Sequence, residues 1–320
     1  MLSRVANALY WMSRYLERAN NVARFIDVNL LLILDMRLDR QQGQWEPLIS
    51  TTGNNTDFLK RYTLFNEENV VKFLTFDAEN PNSIVSCVQS ARENARTIRE
   101  MISSELWKCI NEFYHFVKKN SNKRHIQNLQ SFYAEINAFN NLIVGIQQDS
   151  ISHNEAWHFM HMGQMLERAD KTARLLDVKY FLLSPQPDEM NSLQDIIEWG
   201  AVLQSASAFE MYQKQFHRVN YQDVAKFLIF DPSFPRAMRY CIDSAATSLQ
   251  KIIHIINVEV PAEENMKRLQ HTLVMADIHH ILAHGLHEFI DLFQLNLNIL
   301  DHAIYQSFFA MEAHQSGVHQ

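Results

Sequence analysis

Apolar side chains recur every three or four positions along the first 36 residues of the chain. They are Val5, Leu9, Met12, Leu16, Ala19, Ala23, Ile26, Leu30 and Ile33. Positions three and four apart share one side of an α-helix, so the spacing predicts a long helix from about Ser3 to Met36. A second stripe with this spacing runs from Phe159 to Leu183 and predicts a second long helix.

The two predicted helices also share sequence. Residues 15–28 and 165–178 are identical at eight of fourteen positions. The identical pairs are Leu16/Leu166, Glu17/Glu167, Arg18/Arg168, Ala19/Ala169, Ala23/Ala173, Arg24/Arg174, Asp27/Asp177 and Val28/Val178. Such self-similarity indicates an internal repeat of about 150 residues. We predict an all-α, pseudo-twofold helical bundle in which repeat 1 (1–149) and repeat 2 (150–309) share one core, followed by a polar tail (310–320).

Capping and turn residues predict where further helices begin. Pro81, following Asn80, is a typical first helical residue, and we expect a helix from there to about Ile102. Pro261 similarly opens a helix that we expect to run past His287.

Two more patterns mark the second half of the chain. Ser152 and Glu155 form a capping-box pattern ahead of the second long helix. The motif VVKFLTFD at 70–77 returns as VAKFLIFD at 224–231. Between the second long helix and the next helix we expect a connecting loop at 184–191.

Composition narrows the class of protein. The 7 glycines and 7 prolines are few turn formers for 320 residues, in keeping with an almost entirely helical chain. The net charge of −7 argues against non-specific nucleic-acid binding, which needs a basic surface. The longest apolar run, Leu30–Leu34, is too short to span a membrane. Cys87, Cys109 and Cys241 have no C-x-x-C spacing and are interpreted as reduced core thiols. We expect a cytoplasmic protein without a cofactor, a nucleic-acid partner or a membrane partner.

The repeated charges are interpreted first as structural. At about 100° per residue, Glu17 and Arg24 fall on a polar strip with Tyr10, Arg14 and Asn21, which predicts that they face solvent. Arg18 falls beside apolar residues, and Asp27 lies at the edge of the apolar stripe. We expect Arg18, Asp27, Arg168 and Asp177 to be partly buried members of structural charge pairs.

Arginines that occur in one repeat only are the candidate binding residues. Arg92, Arg96 and Arg99 share one face of a predicted helix, and their counterparts in the other repeat are Ala246, Gln250 and Ile253. Guanidinium groups bind carboxylates and phosphates through two parallel hydrogen bonds. We therefore predict an anion- or substrate-binding site formed by Arg92, Arg96, Arg99, Arg14 and Glu17, with Glu17 as the candidate catalytic residue. The alternative is a solvated face or a set of ion-pair partners for Glu17 and Asp27.

Histidines supply a candidate metal site. His280, His284 and His287 are four and three residues apart, a spacing that can place imidazoles on one helix face for Zn²⁺ or iron. The alternative is a set of ordinary exposed or hydrogen-bonded histidines, and on that interpretation the protein holds no metal.

Several motifs together resemble a known family. They are L-S-R-x-A-x-x-x-Y-W at 2–11, Y-L-E-R-A-x-x-x-A-R at 15–24, K-F-L-x-F-D at 72–77, N-P-x-S-I at 80–84 and M-L-E-R-A-D at 165–170. Together they resemble the bacterial alpha-E family over essentially the whole chain. Ser13 and Gln164 stand where we expect the family's glycine and arginine. The resemblance implies a helical protein of unassigned activity, with a circularly permuted ATP-grasp ligase and a transglutaminase-like peptidase as partners.

Three functions remain open at this stage. The first is a non-catalytic helical partner or substrate-binding module of an ATP-grasp system that ligates or modifies peptides. The second is an enzyme that acts on a peptide or amino-acid conjugate through Glu17, Arg92, Arg96 and Arg99. The third is a scaffold without a small-molecule site. An acidic peptide or a phosphate-bearing compound is the expected ligand of the arginine site.

Overall fold

A computed structural model describes residues 1–36, 45–121, 128–182 and 193–310. Within these ranges the regular structure is entirely helical, which confirms the predicted all-α class. The helices are α1 (Ser3–Met36), α2 (Glu46–Thr52), α3 (Asn55–Leu59), α4 (Glu67–Val71), α5 (Ile84–Thr97), α6 (Ser104–Ser121), α7 (Leu129–Ser150), α8 (Glu155–Leu182), α9 (Leu193–Ser205), α10 (Phe209–Gln215), α11 (Tyr221–Phe230), α12 (Met238–Ile256), α13 (Pro261–Met275), α14 (Ile278–His284) and α15 (Leu286–Ile304). The expected connection at 184–191 and nearly all of the polar tail lie outside the described residues.

The two long helices α1 and α8 pack against each other at the centre of the protein. Four alanines at this contact are fully buried, namely Ala19, Ala23, Ala169 and Ala173. Their small side chains let the two backbones approach each other. The two backbones come especially close at Gly163, where an added Cβ would lie 2.5 Å from the carbonyl oxygen of Tyr10. A glycine is therefore needed at this crossing, because any side chain would displace backbone atoms.

The remaining long helices surround this central pair in two groups. α5 and α7 pack on α1, and α6 packs against both of them. α12 and α15 pack on α8, and α13 packs against both of those. The shorter helix α2 contacts α8, and α9 contacts α1. Trp45, just before α2, and Trp199, on α9, are both buried in the shared core.

Two helices start later than the sequence suggested. α5 begins at Ile84, because Ser83 is the residue whose side chain accepts the hydrogen bond that caps it. Asn80 instead donates its side-chain amide to the carbonyl oxygen of Phe73. At the start of α8 the capping oxygen belongs to Asn154, which accepts from the backbone N–H of Ala156, rather than to Ser152.

The predicted long helix from Pro261 past His287 is wrong, since the segment is three helices. Pro261 does open α13, but that helix ends at Met275. Asp277 accepts a hydrogen bond from the His280 N–H and starts α14. Gly285 then ends α14 with a φ of +113°, a conformation that side chains disfavour.

The repeated K-F-L-x-F-D motif adopts two different helix types. Residues Lys72–Phe76 form a π-helical turn, whereas the second copy is α-helical as part of α11. Both copies bury their central apolar side chains. None of the helices that the structure describes is long and apolar enough to cross a membrane.

Candidate functional site

Two glutamates at the α1–α8 interface lie at the centre of a buried charge network. Glu17 on α1 accepts a double hydrogen bond from Arg168 on α8, at 3.0 Å from Nε and 2.9 Å from Nη2. Glu167 on α8 accepts the reciprocal pair from Arg18 on α1, at 2.6 and 2.9 Å. Each Glu-Arg dipeptide is therefore joined to the other, and both carboxylate side chains are fully buried.

Further donors complete the coordination of Glu17. Arg236, in the turn before α12, donates to its Oε1 at 3.0 Å. Asn21 donates to the same oxygen at 3.1 Å, and Gln164 donates to Oε2 at 3.3 Å. The carboxylate thus has donors from α1, α8 and the α11–α12 turn.

The donors around Glu167 are charged. Arg14 donates to its Oε2 at 2.9 Å, and the Lys171 ammonium lies 3.6 Å from Oε1. Arg14 also donates to Asp301 on α15 and, at 3.1 Å, to the Tyr10 hydroxyl, which itself donates to Asp301. α15 is thereby tied to the central pair.

The neighbouring cations keep both glutamates ionised. Burial raises the pKa of Glu17, but attraction to Arg168 and Arg236 outweighs burial and holds the pKa well below its usual range. Burial raises the pKa of Glu167 too, and Arg18 and Lys171 again lower it well below the usual value. A carboxylate is a poor general acid or base when its pKa is this low and hydrogen-bond donors already occupy both of its oxygens. This geometry therefore suits a structural role.

Sequence reasoning missed three members of this network, Arg236, Asp301 and Lys171. A signal existed for Arg236, because it follows Pro235 just as Asn82 follows Pro81. Asn82 accepts a hydrogen bond from Arg18 at 2.7 Å, so this position contacts the network in both halves of the chain.

The three candidate arginines of α5 and the turn after it lie apart from Glu17 and Arg14, contrary to the expectation of one site. Arg92 donates to Asn111 on α6 at 2.8 Å, and its guanidinium lies 4.6 Å from the Tyr114 ring centre. Arg99 lies 4.9 Å from the centre of the Trp107 ring. Arg96 is 62% exposed and pairs with Glu93 at 2.7 Å. The five side chains Arg92, Arg96, Arg99, Trp107 and Tyr114 form what we call the arginine groove between α5 and α6.

The arginine groove and the charge network lie apart for a geometric reason. Tyr10, Arg14 and Glu17 lie on the side of α1 that faces α8 and α15. The arginines of the groove instead turn away from α1, because Val88, Ala91 and Ala95 form the buried face of α5.

The candidate histidines do not form one ligand set in the structure. His280 and His284 stack with ring centres 3.9 Å apart, and His284 Nδ1 donates to the His280 carbonyl at 2.9 Å. His287 instead donates to Asp177 at 2.6 Å, and Asp291 lies 3.4 Å from its other ring nitrogen. Among the described residues, Asp177, His287 and Asp291 are the group whose ligand atoms come close enough for a metal ion.

Burial has the largest effect on the pKa values of the other repeated aspartate and of the thiols. Burial raises the pKa of Asp27, and none of the ion pairs within the described ranges includes it. Burial likewise raises the pKa of the Cys87 and Cys241 thiols to about 12, and that of Cys109 to about 11. These thiols are therefore protonated at neutral pH and are poor nucleophiles.

The fold and the network define a class of helical protein whose two longest helices are joined by reciprocal Glu-Arg pairs. The profile of the Alpha-E family, described as a predicted alpha-helical domain with a conserved ER motif, matches residues 1–309. The chain belongs to this family. The Glu-Arg dipeptides at 17–18 and 167–168 are the residues of this chain that fit the description.

Similar full-length proteins come from mycobacteria. An uncharacterized protein of Mycobacterium bovis and two of Mycobacterium tuberculosis are each 23% identical to this chain over 268 residues. The match covers 78% of this chain but 30% of each relative, so the chain spans about a third of their length. No solved structure gives a significant match.

Proposed function

We propose that the chain is a non-catalytic helical module that binds an acidic peptide or phosphate-bearing ligand and presents it to a peptide-ligating or peptide-modifying enzyme. The observation that carries this proposal is the arginine groove. Two of its three cations, Arg92 and Arg99, are held by aromatic rings, whereas the glutamates and thiols that could perform chemistry are buried.

The arginine groove has the charge for an anionic ligand. In the part of the chain that the structure describes, the ion pairs of Arg92 and Arg96 go to Glu93 alone. Two guanidinium groups therefore share one carboxylate, which is itself 42% exposed, and none of the ion pairs within the described residues includes Arg99. Stacking on Trp107 and Tyr114 fixes two of the guanidinium groups in advance, which lowers the entropy lost when a ligand binds.

The proposed partners are a circularly permuted ATP-grasp ligase and a transglutaminase-like peptidase, as the family resemblance implies. The lengths of the mycobacterial relatives support a partnership, because the matching segment there forms part of a chain about three times as long. A module that acts together with an enzyme is often joined to further chain segments, and in these relatives the matching segment is joined to such segments.

We also propose that residues 1–149 and 150–309 are structural repeats related by a near-twofold axis. Corresponding helices have corresponding neighbours: α5, α6 and α7 around α1, and α12, α13 and α15 around α8. The reciprocal Glu-Arg pairs are what such an axis would generate. An experimental structure whose halves fail to superpose would contradict this arrangement.

The functional test compares Arg96→Ala with Gln250→Ala, its counterpart in the second repeat. Binding of a fluorescently labelled polyglutamate peptide should weaken at least about tenfold in the Arg96 variant, because a charge-assisted hydrogen bond contributes ~1.5–3 kcal/mol. The melting temperature should hardly change, since Arg96 is exposed. Binding should also weaken as salt rises.

The control and the contrary result are both specific. Gln250→Ala should change neither binding nor stability. If Arg96→Ala unfolds the chain while peptide binding per folded molecule is intact, the arginine groove is structural and the proposal is wrong. Co-purification of each variant with the ATP-grasp ligase tests the partner, and peptide turnover by the isolated chain would favour the enzyme alternative.

A further inference from the structure

One face of α1 carries buried polar atoms that lack hydrogen-bond partners within the described structure. They are Ser13 Oγ, both side-chain atoms of the Asn20 amide, and Arg24 Nη1. Asn20 is 1% exposed and Ser13 is 3% exposed, so bulk water does not satisfy them. Positions 13, 20 and 24 lie on one side of a helix, the side that also carries Glu17. Leaving buried polar groups unpaired costs free energy, so a cluster of them calls for an explanation.

The same region holds more positive than negative charge. Arg24 is within electrostatic range of Arg236, Glu17 and Arg168, and both Arg168 and Arg236 already donate to Glu17. Three guanidinium groups therefore share one carboxylate. Burial and repulsion from Arg236 lower the pKa of Arg24 well below its usual value, and attraction to Glu17 offsets this only in part.

We call the residues around Glu17 the first Glu-Arg centre and those around Glu167 the second. The second centre contains a carboxylate that the first one lacks. Arg174 donates through Nε to both oxygens of Asp170, at 3.0 and 2.9 Å. Lys171 donates to the same carboxylate at 3.0 Å. Alignment of the two motifs places Asn20 opposite Asp170 and Arg24 opposite Arg174. The first centre keeps the arginine but replaces its carboxylate with a neutral amide.

We propose that a small oxyanion, a phosphate or a carboxylate, binds beside Arg24, Arg236 and Asn20 and supplies the negative charge that Asp170 supplies in the second centre. Its oxygens would accept hydrogen bonds from Arg24 Nη1 and from the Asn20 amide. Arg24 and Arg236 are both partly exposed, with 12% of the Arg236 side chain accessible, so movement of these two side chains would admit the anion from solvent. Its residues lie outside the arginine groove.

The test measures thermal unfolding of the full chain in sodium phosphate, with sodium chloride of equal ionic strength as the reference. Phosphate should raise the wild-type melting temperature in a saturable way, as a ligand of the native state does. Asn20→Asp restores the missing carboxylate. This variant should melt higher than wild type without phosphate, and it should lose the phosphate-dependent rise. A parallel titration with sodium acetate separates a carboxylate site from a phosphate site.

Two further variants keep the inference testable if Asn20→Asp folds poorly. Arg24→Gln removes the unpaired guanidinium and should also abolish the phosphate-dependent rise. Arg268→Gln removes an exposed arginine of α13 that belongs to neither site and should keep that rise in full, which shows that the loss is specific to Arg24. If neither phosphate nor acetate acts more strongly than chloride, or if the active anion acts equally on wild type, Asn20→Asp and Arg24→Gln, the inference is overturned.

Discussion

The network between α1 and α8 and the arginine groove between α5 and α6 use the same side chains in opposite environments. Glu17 and Glu167 have fully buried side chains, and their arginine partners are at most 15% exposed. In the groove, Glu93 is 42% and Arg96 is 62% exposed. The Glu-Arg pairs of the network occur in both halves of the sequence, whereas the groove arginines occur in one.

This difference has an energetic consequence. Breaking a buried ion pair strands a charge away from water, which costs several kcal/mol. An exposed ion pair contributes about 0–1 kcal/mol, because solvent competes for both partners. Charges needed by the fold should therefore be sensitive to mutation through stability, and charges needed by a ligand through binding. Three experiments test this division, from the largest expected effect to the smallest.

The largest loss of stability is expected for Glu167→Ala. The change leaves Arg14, Arg18 and Lys171 without the carboxylate that they share, and the expected cost is about 3–5 kcal/mol in the free energy of unfolding. Arg18→Ala should cost ~3 kcal/mol for the same reason. Urea denaturation of each purified variant measures these values.

The matched control is Glu93→Ala in the groove, which should change stability by no more than about 0.5 kcal/mol. The effect of Glu167→Ala should also depend on pH. Because the folded pKa of Glu167 is depressed, its contribution is present above the unfolded value near 4.3 and is lost as pH falls through the folded pKa. Equal stabilities of the Glu167 and Glu93 variants at neutral pH would refute the division.

The apolar period predicted the all-helical class and located α1, because that signal is local to one helix. It misplaced Glu17, since the polar strip of Glu17, Arg14 and Asn21 looks solvent-facing on an isolated helix. In the structure that strip lies against the side chains of Arg168 and Gln164 on α8. A helical period describes one helix and says nothing about which partner covers its polar side.

Long-range partners were equally hidden from the sequence. Asp301 reaches Arg14 from α15, and Arg236 reaches Glu17 from a turn far along the chain. In the C-terminal segment the apolar period predicted one helix, but the capping residues Asp277 and Gly285 divide it. Charge repetition was more informative, since both Glu-Arg dipeptides lie in the centre of the structure.

The second experiment tests how closely α1 and α8 must approach. In Gly163→Ala the new Cβ would meet the Tyr10 carbonyl at 2.5 Å, and overpacking of this kind typically costs about 1–3 kcal/mol. Gly145→Ala, at an exposed position of α7, is the control, because no neighbouring atom lies within 4 Å of the added Cβ. That variant should gain about 0.5–1 kcal/mol from helix propensity. If both variants melt above wild type, the helices are not in contact at Gly163.

The smallest expected effect concerns His287, whose hydrogen bond to Asp177 links α15 to α8. That hydrogen bond raises the pKa of His287, partly offset by burial. A raised folded pKa means that the contribution is fully present below the unfolded value near 6.5 and is lost as pH rises through the folded pKa. The His287 side chain is 33% exposed, so we expect His287→Gln to cost only about 0.5 kcal/mol at pH 6 and less at pH 9. Asp177→Asn as the second arm of a double-mutant cycle should remove this pH dependence. A cost that is equal at both pH values, or larger at pH 9, would show that the pair does not carry charge across the helix interface.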